Sequence, residues 1–199
     1  MSVIRLFNTI AMILLCLMLC SSRATAQTDA FDYGYIQVQY DTIESEEFPE
    51  DPATGGAVSW SIPVSENWHL FGTGRIVEGE VDGENHIQNW IDTGLGFNAS
   101  IVDNVDLVLR VGAFFTDGWN SSDLLTWDYE VGTIARVSTR IRLGEILELE
   151  PSYSTYGSGG SSRSDAGLNM YLSLGLQVEA YAGTHDFETF AFGIRIGAS

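Results

Sequence analysis

Three histidines, His69, His86 and His185, are the only imidazoles in the 199-residue chain. A hydrolase or acyltransferase centre needs such a ring within reach of a serine and an acid, so that the ring can take the hydroxyl proton. None of the three has a serine beside it in a recognisable motif, and the chain shows no phosphate-binding glycine loop, metal-ligand cluster or nucleophile motif. Glu44, Glu46, Glu47, Glu50 and Asp51 crowd one segment. Their spacing is not that of a calcium loop, whose ligands recur at fixed positions so as to converge on one cation, so the segment reads as a solvated, self-repelling loop. The expectation is a protein that is not an enzyme and takes no cofactor or metal.

The charges that do carry a pattern are a different set. Arg75, Arg110, Arg136 and Arg195 share the polar face of alternating segments with Asp92, Asp106, Glu130, Glu148, Glu150 and Glu179. If that face is dry, an unpaired charge is very costly, so these groups must pair. Hairpin register predicts Arg110 with Asp92, Arg136 with Glu148 or Glu150, and Arg195 with Glu179. Two chemistries follow: a narrow, cation-favouring passage, or a salt-bridged plug that stiffens the protein. The plug is the preferred reading, because about ten strands leave little room once tyrosine, phenylalanine and tryptophan also point inward.

The elements that position these charges are strands. From Tyr33 onward apolar and polar residues alternate with period two, about ten times over. The clearest segment sets Leu107, Leu109, Val111, Ala113 and Phe115 against Asp106, Val108, Arg110, Gly112 and Phe114. Short breaks near residues 65–67, 101–104, 140–145 and 175 alternate with segments at 42–55, 79–85, 117–125 and 157–164. The latter are mostly longer and rich in Gly, Ser, Asp and Glu. Tight turns at one end and longer loops at the other are the habit of membrane-spanning barrels. The expected fold is all-β: one antiparallel up-and-down transmembrane β-barrel of about ten strands, with eight as the alternative. An even count returns both termini to the tight-turn side, the periplasm.

Alternation alone does not say whether the apolar face meets a core or lipid. On that face aromatics gather at strand ends: Tyr40, Phe115, Trp127, Tyr129, Tyr153 and Phe190 toward the longer loops, Trp68 and Phe97 toward the short turns. Two such girdles suit the two membrane interfaces. The polar face is rich in glycine, as a narrow, curved interior requires. It also holds the four arginines, each of which would cost about 2–4 kcal/mol at the lipid midplane. A soluble secreted binding barrel accounts for the arginines but not for the girdles.

Residues 1–26 differ from the rest. Arg5, the apolar run Ile10–Cys20 and the small residues Ala24-Thr25-Ala26 make the layout of a cleaved signal peptide. The run is short of the roughly 20 residues of a spanning helix, and Leu19 before Cys20 is not the small residue that lipid modification wants. The expected division is a signal peptide over 1–26 and an outer-membrane barrel domain over 27–199. Both cysteines, Cys16 and Cys20, lie in the leader, so no disulfide supports the barrel. There is no lysine, and 27 acidic residues face nine arginines, which excludes nucleic acid as a partner.

The segments Asn67-Trp68-His69-Leu70-Phe71-Gly72, Gly94-Leu95-Gly96-Phe97-Asn98 and Leu107-Val108-Leu109-Arg110-Val111 carry a likeness. Through them the chain resembles small Gram-negative outer-membrane barrels of the OmpA, OmpX and OmpW kind. More closely, it is similar to the short barrels known as outer-membrane β-barrel or diffusible-signal-factor proteins. The resemblance implies contact with outer-membrane lipid and lipopolysaccharide, insertion by the barrel-assembly machinery, and a structural or surface-interaction role. A narrow small-solute channel is the alternative, with an outer-membrane lipid-modifying enzyme further off; oligomeric state stays open. One departure is plain: such barrels usually end on an aromatic residue, whereas this chain ends Gly193-Ile194-Arg195-Ile196-Gly197-Ala198-Ser199, with Phe190 and Phe192 upstream.

Overall fold

The computed structural model describes residues 33–44, 51–81, 84–117, 129–144, 147–158, 161–172, 176–183 and 187–197. The leader expected over 1–26 lies outside these residues. So do Trp127, His185 and most of the acidic segment after Glu44. Among the described residues ten strands run in chain order: β1 Tyr35–Glu44, β2 Ala53–Pro63, β3 Trp68–Val81, β4 Glu84–Val102, β5 Val105–Asp117, β6 Tyr129–Leu143, β7 Leu147–Ser158, β8 Ser161–Leu172, β9 Leu176–Gly183 and β10 Phe187–Gly197. Each pairs antiparallel with its neighbours in sequence, and β1 pairs with β10 to close a barrel. The closing register runs from Tyr35 opposite Gly197 to Glu44 opposite Glu188. The all-β, up-and-down, ten-stranded barrel expected from the alternation is therefore the fold. With both Tyr35 and Gly197 at one end, that end is called the terminal end below.

Period-two alternation fixes which side chains point inward. Along β1, Tyr35, Gln37, Gln39, Asp41 and Ile43 are buried, while Val38 and Tyr40 are each 56% exposed. The same rule puts Val108, Arg110 and Phe114 inside β5 and Leu109, Val111 and Phe115 outside. The outside is thus the apolar side: Val131, Val137, Leu168, Phe192, Ile194 and Ile196 are all exposed. A water-soluble barrel has the opposite polarity. This one offers hydrocarbon a surface whose backbone groups are already satisfied by neighbouring strands.

The connections depart from expectation in an instructive way. Residues 79–85 and 157–164, expected as loops, are mostly strand: β3 continues to Val81 opposite Glu84 of β4, and β7 continues to Ser158 opposite Ser161 of β8. Gly, Ser and Glu are weak strand formers, yet a paired neighbour supplies their backbone bonds where both faces meet water. The longest intervals between strands are residues 45–52 and 118–128, and the described strand ends that flank them, Glu44 of β1 and Asp117 of β5, lie away from the termini. The terminal-end turns are tight. Asp103 and Asn104 alone join β4 to β5, and Gly144 after β6 adopts φ 73°, a left-handed conformation that glycine takes without penalty. Between β2 and β3 the Val64 and Ser65 amides both donate to the Trp68 carbonyl, at 2.8 and 3.1 Å.

Candidate functional site

Among the described residues, the interior is where polar and charged groups concentrate away from solvent. It is built in two tiers, of which the terminal-end tier is packed. Tyr33, just ahead of β1, is 3% exposed. Its hydroxyl donates to Asp106 Oδ2 at 2.7 Å, its ring stacks on His69 with centroids 5.1 Å apart, and the Arg140 guanidinium lies 4.6 Å from its centre. Burial pushes this phenol well above its usual range, opposed by the charge of Arg140, so it remains a hydrogen-bond donor. Ser100 Oγ donates to the second Asp106 oxygen at 2.7 Å.

Above Tyr33, Glu150 is the hub. It is 1% exposed and accepts from Arg110 Nη1 at 3.4 Å, Ser138 Oγ at 2.8 Å and the Tyr171 hydroxyl at 3.1 Å. Arg110 also directs Nε at His69 Nε2, 3.4 Å away. Arg140 Nε meets Glu148 Oε1 at 2.6 Å. Gly96 makes the His69 position feasible, since a Cβ there would collide with the imidazole Nε2. The histidine ring fills the space over its glycine partner on the adjacent strand.

The second tier is polar but looser. Arg75 Nε pairs with Asp41 Oδ2 at 2.7 Å, and Gln39 donates to the other Asp41 oxygen at 2.7 Å. Arg136 donates to Ser154 Oγ at 2.8 Å and to the Tyr156 hydroxyl at 3.4 Å. Trp90 Nε1 donates to Asp92 at 3.2 Å, and the Trp90 ring stacks on Phe114 with centroids 4.6 Å apart.

Set against the expected pairs, the register corrects each one whose residues are described. Arg110 stands opposite Gly96, and Asp92 opposite Phe114, so Arg110 reaches past β6 to Glu150 instead. Arg136 stands opposite Ser154, and Glu148 is taken by Arg140. Arg195 is clasped between the Tyr35 and Tyr171 rings, its guanidinium carbon 3.8 Å from each centroid; the Glu179 side chain lies outside the described residues. Glu130 follows the inward parity of β6 but is exposed at the start of that strand. Interior residues that sequence reading misses include Tyr33, Asp41, Arg140 and Asp165. In the sequence Asp41 reads as the edge of a loop and Arg140 as part of a turn. Yet Arg140 extends the parity of Arg136 by two strand steps, which is the signal that could find it.

Of the expected aromatic girdle, Tyr40, Trp68, Phe115, Tyr153 and Phe190 stand exposed on the outer face, and Phe97 packs beside Trp68 at 5.0 Å. The Tyr129 side chain and Trp127 lie outside the described residues. His69 is fully buried in the terminal-end tier. Among the described residues no three metal-binding side chains come together.

No family model matches the chain, and neither does any curated protein. Solved outer-membrane barrels do. Ail, the attachment invasion locus protein of Yersinia pestis, matches at 11% identity and a TM-score of 0.41, over 82% of this chain and 99% of its own. The same protein in a phospholipid bilayer nanodisc matches at 12% and 0.42, over 82% and 99%. OprG of Pseudomonas aeruginosa matches at 9% and 0.45, over 84% and 98%.

Proposed function

We propose that this chain is an outer-membrane barrel with a shut interior and a structural or surface-interaction role, both termini facing the periplasm and residues 1–26 removed on export. Its own apolar belt supports the membrane assignment. The observation that carries the shut interior is the terminal-end tier, where Tyr33, Asp106, Arg110, Arg140, Glu148 and Glu150 interlock with almost every charge matched at close range. Moving a hydrated ion through that tier would unpair buried charges, each at several kcal/mol. The outer surface contacts lipid and lipopolysaccharide, and the barrel-assembly machinery inserts it.

The test is electrical. Refolded protein in planar bilayers should give no stable conductance steps. Reproducible steps would overturn the shut reading and leave the small-solute channel in its place. Export is tested separately by the N-terminus of the protein in the membrane, expected at Gln27; a lipid-modified Cys20 would overturn it.

A further inference from the structure

Beside the packed tier the interior keeps an open space. A cleft of about 110 Å³ follows β1, lined in succession by Tyr35, Gln37, Gln39 and Ile43. Those eight residue steps rise about 26 Å, and the volume is that of about four water molecules at liquid density. The cleft is therefore long and thin, with Ile43 and Gln88 at one end and Tyr35 and Tyr171 at the other.

The chemistry of its wall is specific. Gln37 donates to Gln39, Gln39 donates to Asp41, and Asp41 is neutralised by Arg75. Arg110, which also borders the cleft, is neutralised by Glu150. Ser59 and Thr73 hydroxyls meet at 3.1 Å on the same wall. Asp92, Asp165 and Arg136 also line the cleft; with charges of both signs on the wall, amides and hydroxyls that can both donate and accept suit water and small uncharged polar molecules better than ions.

At the far end two rings of the lining, Tyr35 and Tyr171, clasp Arg195. Its Nε is buried and makes no hydrogen bond, while the residue as a whole is half-buried. Both rings stack on this group beside the seam of β1 and β10. We propose that the cleft is a solute path for water and small uncharged polar molecules, and that Arg195 between Tyr35 and Tyr171 is the stop that shuts it. The inference rests on the shut-interior reading and goes beyond it by naming the seal and the permeant class.

The experiment is isosmotic swelling of proteoliposomes in glycerol. Wild-type vesicles should swell no faster than protein-free ones; rapid swelling there would sink the shut reading itself. Arg195→Ala and Tyr171→Ala should each raise the swelling rate at least about tenfold, with folding verified by the electrophoretic shift of heated against unheated barrel. Folded variants as tight as wild type would overturn the stop. Should neither variant fold, Gln39→Cys decides, placed in the full chain with Cys16 and Cys20 changed to serine. In the otherwise intact barrel the new thiol should react with a small uncharged thiosulfonate and resist a bulky maleimide. A Gln39→Cys thiol that reacts with neither reagent would overturn the path.

Discussion

The Tyr33 hydroxyl donates to Asp106 Oδ2 at 2.7 Å, tying a residue that precedes the first strand to the second residue of β5. The bond lies inside the barrel, and its donor is a ring stacked between His69 and Arg140. Removing the hydroxyl alone isolates the effect of this bond. Tyr33→Phe should cost about 1–3 kcal/mol, because Asp106 loses a buried donor. Tyr33→Ala should cost about 3–5 kcal/mol, the range for deleting a buried ring. Urea unfolding of refolded barrels, followed by tryptophan fluorescence, reads both. Equal midpoints for wild type and the two variants would mean that Tyr33 does not occupy the interior.

Arg110 and Glu150 meet inside the barrel at 3.4 Å. Glu150→Leu leaves Arg110 without its carboxylate and should destabilise by about 3–5 kcal/mol. Adding Arg110→Leu should return most of that loss, since an apolar pair of similar volume often replaces a buried ion pair without penalty. A double variant weaker than the single one would show that Glu150 acts chiefly through Ser138 and Tyr171.

Gly96 and His69 form a coupled pair. Gly96→Ala sets a methyl against the imidazole and should cost about 1–3 kcal/mol, the usual range for overpacking. In a His69→Ala background the same change should cost little. The double-mutant cycle measures the difference, and strict additivity would show that the ring does not sit over the glycine.

Leu109 is 43% exposed and its neighbour Arg110 only 6%. Single cysteines at the two positions, each carrying a fluorophore, should differ in a bilayer that contains a lipid-dissolved quencher: position 109 quenched, position 110 protected. The reverse order would place the apolar face inward and make this a soluble barrel. Leu109→Arg should cost about 2–4 kcal/mol near mid-membrane.

The strands are legible in the sequence because a side-chain period of two leaves no freedom: once Leu109 faces lipid, Arg110 faces inward. Arg136 and Asp92 go inside on the same logic. Their partners are not legible, for a physical reason. Hairpin register pairs a residue with the adjacent strand, but in a narrow barrel long side chains also reach past that strand to the next one, as Arg110 of β5 meets Glu150 of β7 and His69 of β3. Arg140 and Asp41 escape a sequence reading because polar residues near a strand end look like turn until the neighbouring strand is known to continue beside them. Tyr33 shares the parity of Tyr35 and Gln37, but it lies ahead of the first strand, where no paired neighbour turns parity into an inward position.

The seam between β1 and β10 has a consequence for how the molecule comes into being. Tyr35 finds Gly197 and Glu44 finds Glu188, so the first strand waits for the last before its outer edge is satisfied. Until then both edges carry unpaired amides and carbonyls that hydrocarbon does not tolerate and that another chain could capture. Insertion one strand at a time is therefore uphill at every stage but the final one. Contacts between the two ends of the sequence also form slowly. A chain stopped short of Phe187 should be found aggregated or degraded, with no smaller barrel to fall back on.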